Sequence, residues 1–124
     1  MSQHRDSIRT VTSSDFASQV LNGQGPIVVE FMSYGCSHCR AMEPVIQEVA
    51  ASLASKEQIF RVNVAAEQGL AAAYAIEATP TLVMFRNGAE VGRVEGPHPT
   101  VPALTAAVTQ PFASSRHGAS IRRC

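Results

Sequence analysis

Cys36-Ser37-His38-Cys39 lies where one kind of hydrophobic pattern gives way to another. Upstream, Ile27-Val28-Val29-Glu30-Phe31 is a near-continuous apolar run, the pattern of a strand covered on both faces. Downstream, Val45, Ile46, Val49, Ala50 and Leu53 recur at helical spacing, predicting a helix to about Ala54 that contains Pro44 and kinks near it. A thiol pair on the first turn of a helix fed by a buried strand has two consequences. The sulfurs are close enough to bridge without backbone movement. The more N-terminal thiol, Cys36, meets the unpaired N–H groups and positive dipole end of the helix, which favour thiolate.

The rest of the chain predicts a single α/β domain. Ile8 to Val11 forms a short edge strand, and Thr12-Ser13-Ser14-Asp15 caps a short helix carrying Phe16, Val20 and Leu21. Gln58 to Val64 is a second core strand, Glu67 to Tyr74 an alanine-rich helix, and Leu82 to Phe85 a third strand. Asn87-Gly88 is a two-residue hairpin turn leading to an edge strand, Glu90 to Glu95, with Gly92 as a bulge. Thr100 caps a last helix with Pro102 in its first turn and Val101, Leu104 and Val108 facing the sheet. Residues 1–6 read as a flexible terminus, 7–112 as the domain, and 113–124 as a disordered tail of small and basic residues.

Ten basic and ten acidic residues cancel, so there is no basic surface for nucleic acid. No run is long enough to span a bilayer, and the first six residues lack a secretory apolar stretch, so a cytoplasmic protein is expected. Persistent structural disulfides are rare in that compartment, and three cysteines, two of them paired by spacing, suit redox chemistry better. A zinc site would need two further ligands, and His4, His98, His117 and Cys124 stand at no paired spacing. No glycine-rich phosphate loop is present, so no nucleotide or flavin is expected, and a redox-active Cys36–Cys39 disulfide is the expected redox group.

From Ile8 to Val108 the chain resembles the thioredoxin family. The resemblance rests on Val29-Glu30-Phe31, the Cys-x-x-Cys pair, Pro44, Ala78-Thr79-Pro80-Thr81, Phe85-Arg86-Asn87-Gly88 and Gly96, in that order. It implies a central mixed sheet flanked by helices on both faces and a cis bond before Pro80. It also implies exchange of electrons with protein disulfides, supplied by a thioredoxin reductase or a low-molecular-weight thiol, in a monomer. On that pattern Cys36 is the nucleophile, Cys39 resolves the mixed disulfide, and Glu30 relays the proton of Cys39. Gly35, Thr79, Pro80 and Gly96 receive the substrate segment.

Several residues depart from the family pattern. There is no tryptophan, and Gly35 and Met32 occupy the usual tryptophan positions. Ser37-His38 replaces the usual Gly-Pro, which is similar to the motifs of protein disulfide isomerase and the periplasmic disulfide oxidants. The His38 imidazole is expected to stabilise the Cys36 thiolate and make the couple more oxidising, with Ser37 capping the turn at most. Glu30 stands where the family has aspartate. Inside an apolar strand its ionised form is costly, so burial should raise its pKa; a strand-end glutamate paired with Arg61 is the plainer alternative. Loss of the tryptophans also fits a redox-inactive binding or chaperone module on the same scaffold.

Overall fold

A computed structural model describes residues 8–96 and 100–121, with 114–121 described for the backbone alone. The expected flexible stretch 1–6, His98, and residues 122–124 with Cys124 lie outside the described residues. In chain order the elements are β1 (Arg9–Thr10), a π-helical turn (Ala17–Leu21), β2 (Pro26–Met32), α1 (Ser37–Leu53) and β3 (Gln58–Asn63). Then follow α2 (Gln68–Ala73), β4 (Thr81–Arg86), β5 (Ala89–Glu95) and α3 (Val101–Ile121). The strands form one mixed sheet, ordered β1-β3-β2-β4-β5, in which β1, β3 and β2 are parallel and β4 and β5 antiparallel.

Strand β2 is apolar apart from Glu30 because it is central and both its faces are covered. Val28 packs in a core with Met42, Ile46, Leu104 and Val108 of α1 and α3. Its neighbours Val29 and Phe31 pack on the other face with Phe16, Val20, Phe60 and Phe85, against Leu70 and Tyr74. Each fully buried Val or Phe of this kind contributes about 1.5–3 kcal/mol. The period of two along a strand then sends the Glu30 side chain to the face shared with Val28, beneath α1. Thus the only acidic residue of β2 is delivered to the helix that carries the cysteines.

The hairpin turn forms as expected, with positive φ at Asn87 (53°) and Gly88 (83°). Four details differ from expectation. The segment after Asp15 is a π-turn, closed by Asn22 N–H donating to Ala17 O at 2.8 Å, and this wide turn buries both Phe16 and Val20. The bulge in β5 is at Val91, because Met84 pairs with Gly92 and Phe85 with Glu90. Gly92 serves another purpose: a Cβ there would lie 2.7 Å from Cβ of Pro111, so its absence lets α3 approach the sheet. Finally, the backbone of 113–121 continues α3 where composition led us to expect a disordered tail. A helix already nucleated by packed residues through Phe112 extends at little further cost per residue.

Candidate active site

The turn before α1 is built by the backbone. Gly35 N–H donates to Ser33 Oγ at 3.3 Å, and Cys36 N–H to Ser33 O at 3.1 Å. Cys36 is the N-cap of α1, with extended φ/ψ (−84°, 121°), and its sulfur accepts from the Cys39 N–H at 3.2 Å. An oxygen usually fills that role at a helix start; here a sulfur does, so any negative charge on it meets the N–H end of the helix. Both cysteines are free thiols, Cys36 half-buried and Cys39 buried on the inner face of the first turn.

The two thiols are driven in opposite directions. Partial burial works to raise Cys36, but hydrogen bonds from the Cys39 thiol, from Thr79 and from the backbone N–H groups of Cys39 and His38 outweigh it, and its pKa is lowered. Burial pushes Cys39 up to about 11, reinforced by its hydrogen bond to Cys36. One thiol is therefore primed to attack as thiolate, while the other needs a base.

Cys36 Sγ–H also reaches Thr79 O at 3.5 Å. The Thr79–Pro80 peptide is cis, and Pro80 O accepts the Gly96 N–H at 3.1 Å. Gly96 has φ +82°, a conformation that favours glycine, and open space where a Cβ would stand. The fold therefore brings Thr79, Pro80 and Gly96 together beside Cys36. Thr79 also forms one lip of a groove of about 440 Å3 walled by Val64, Ala71, Ala72, Ile76 and Ala78. Gly35, Ser37 and His38 are exposed on the rim, and the hydrogen bond from residue 38 to Cys36 comes from its backbone. Of the two residues in the place of tryptophan or beside it, Met32 is buried in the core, whereas Tyr34 is 59% exposed.

Glu30 is completely buried, as expected, and it also meets Arg61, its partner in the β2–β3 register. Arg61 Nε donates to Glu30 Oε1 at 3.2 Å. The same guanidinium donates through Nη2 to both carboxylate oxygens of Glu43, at 2.8 and 2.7 Å. Sequence reasoning weighed Arg61 but missed Glu43. The available signal was spacing: Glu43 follows Cys39 by one helical turn on the same face of α1.

Comparison with known proteins places these features in a wider set. The family model described as Thioredoxin matches residues 7–110. The chain is 34% identical to a thioredoxin of Pyropia yezoensis over 103 residues, covering 83% of this chain and 94% of that one. It is 35% identical to Thioredoxin 1 of a Nostoc species over 99 residues, covering 80% and 90%. Among solved structures, that of Malassezia sympodialis thioredoxin (Mala s 13) aligns with a TM-score of 0.74 at 29% identity, covering 89% of this chain and 95% of that one.

Proposed function

This chain belongs to the thioredoxin family and is a thiol–disulfide oxidoreductase acting on disulfides; from that premise we propose how its residues divide the reaction. The Cys36 thiolate attacks a sulfur of a protein disulfide, forming a mixed disulfide and expelling the first substrate thiolate. Cys39 then gives its proton to Glu30 and attacks Cys36. The Cys36–Cys39 bond forms, the second substrate thiolate leaves, and two electrons have passed to the substrate. Thr79, Pro80 and Gly96 dock an extended substrate segment by backbone pairing, with Gly35 leaving the approach clear and the groove beside Thr79 taking a side chain.

The resulting disulfide is the protein's own redox group, rereduced by a thioredoxin reductase or a low-molecular-weight thiol. Such a supply suits a reducing compartment, and we place the protein in the cytoplasm as a monomer, one chain supplying every residue named. No helix among the described residues is long and apolar enough to cross a membrane. Ser37-His38 makes the couple more oxidising than a Gly-Pro pair, since stabilising thiolate in the reduced form raises the potential.

The opposite displacement of the two thiols at the mouth of α1, with Cys36 against the Thr79 carbonyl, carries this reading. Dithiothreitol-driven insulin reduction tests it. The wild type should accelerate precipitation, and Cys36→Ser should abolish the acceleration. A wild type no faster than its Cys36→Ser variant would point to a redox-inactive binding module.

A further inference from the structure

The carboxylate of Glu43 has no part in that scheme, yet it is the best-held acidic group near the site. Both of its oxygens lie on Arg61 Nη2, at 2.7 and 2.8 Å, while Arg61 meets Glu30 through Nε at 3.2 Å. Gln47, one turn further along α1, donates to Glu43 Oε2 at 2.7 Å and fixes it in place. The three ionic side chains run from core to solvent: Glu30 is 0% exposed, Arg61 5% and Glu43 35%. On the neighbouring strands, the described residues in register with these groups are uncharged, and the nearby arginine is directed elsewhere. Thr10 of β1 pairs with Arg61, Leu82 of β4 pairs with Glu30, and Arg9 lies over the Phe60 ring. On α1, Arg40 is directed at Tyr34 O, His38 and Glu48 are exposed to solvent, and the thiols of Cys36 and Cys39 remain; the described side chains of α3 carry no charge.

We propose that Glu43 is a positioning residue for the resolving step: it draws the Arg61 guanidinium toward the surface and so leaves the Glu30 carboxylate able to accept the Cys39 proton. This rests on Glu30 being the base. A carboxylate matched one-to-one with a buried guanidinium is a poor proton acceptor, because protonation breaks the pair. A second carboxylate on the same guanidinium leaves an excess negative charge across the three groups. Uptake of one proton at Glu30 then restores balance, and transfer from Cys39 becomes less costly.

The test uses the full chain and reads Glu30 by its side-chain carboxyl NMR shift, alongside the pH profile of mixed-disulfide resolution in single turnovers. Glu43→Gln keeps hydrogen-bonding capacity but loses charge. The midpoint of Glu30 protonation should fall by about one pH unit, the size of effect a single nearby charge produces. The acid limb of resolution should move with it, and the rate above that limb should drop severalfold. Glu43→Asp, which keeps the charge, should restore both. The Cys36 thiolate titration should not move in either variant, because that anion is held by the helix mouth. A midpoint and limb unchanged in Glu43→Gln, while Glu30→Gln removes the limb, would leave Glu43 a packing residue and overturn the proposal alone. A limb that persists in Glu30→Gln would remove Glu30 as the base, and this inference with it.

Discussion

Helix α1 has an acidic group at each end, and the two ends treat it in opposite ways. At the start, Cys36 faces backbone N–H groups, and its thiol is lowered despite partial burial. Just past the other end, burial raises Glu57 to about 7, against the opposing pull of Arg86 and Lys56. The N–H groups of Lys56 and Glu57 both turn back to Leu53 O at 2.8 Å, and Glu57 Oε1 is buried without a hydrogen-bond partner. A helix start can therefore stabilise an anion with no counterion, whereas a helix end spends its donors on its own carbonyls. Deeper under the start of α1, Glu30 shows a third solution, a buried carboxylate matched by a buried cation.

The largest expected effect comes from removing that cation. Arg61→Met should put Glu30 in the situation of Glu57, costing about 3–5 kcal/mol at pH 8 in chemical denaturation, since it strips a buried charge of its partner. The sign with pH follows. In the variant the native state holds the Glu30 proton more tightly than the unfolded chain does. Stability is then fully present below the unfolded carboxylate pKa and lost as pH rises through the folded one. The deficit should shrink on acidification to pH 5. A deficit below about 1 kcal/mol that ignores pH would mean the guanidinium is not what holds Glu30.

How much of this was legible in the sequence depends on whether the information is local. The thiol pair on a helix start, the Asn87-Gly88 turn and the covered central strand follow from neighbours in the chain, and all were readable. So was the set that meets at the site, through the family resemblance of Thr79, Pro80 and Gly96. Of the Glu30–Arg61–Glu43 chain the pairing with Arg61 was weighed as an alternative, but Glu43 was not seen, because its place depends on the register of β2 with β3 and on the height of α1 above them. Register is set by packing between elements distant in sequence. The bulge at Val91 was misplaced for a similar reason: Gly92 has a local reading as a bulge, but its demand comes from Pro111 of α3. At the mouth of α1 the expectation rested on a side chain, and the structure adds a backbone contribution beside it. His38 drew attention as an imidazole, whereas its backbone N–H is what hydrogen-bonds Cys36.

The opposite end of α1 gives an effect of intermediate size. Because Glu57 holds its proton more tightly folded than its ordinary value of 4.5, the wild type should lose stability as pH rises from about 4.5 to about 7. Glu57→Gln cannot ionise, so its stability should be flat across that window. It should exceed wild type by about 3 kcal/mol at pH 8 and match it near pH 4. Parallel urea titrations at the two pH values decide the matter. Equal wild-type and variant stability at both would show that Glu57 finds water or a cation at the end of α1, and the contrast between the two ends would fade.

The smallest effect separates backbone from ring at the start of α1. His38→Ala removes the imidazole and keeps the N–H; His38→Pro removes both, and proline is tolerated in the first turn of a helix. Of the interactions that lower Cys36, the His38 N–H is the smallest, so its loss should raise the thiol only slightly. If that stabilisation acts on the reduced form alone, the potential of the couple should fall slightly with it, by less than the roughly 30 mV that a full pKa unit carries. Thiolate absorbance against pH should therefore shift in His38→Pro and stay near wild type in His38→Ala. Equal shifts in both would assign the stabilisation to the imidazole. The first end of α1 would then resemble Glu30 and Arg61, an anion held by a side-chain cation, and the helix mouth would count for less than its geometry suggests.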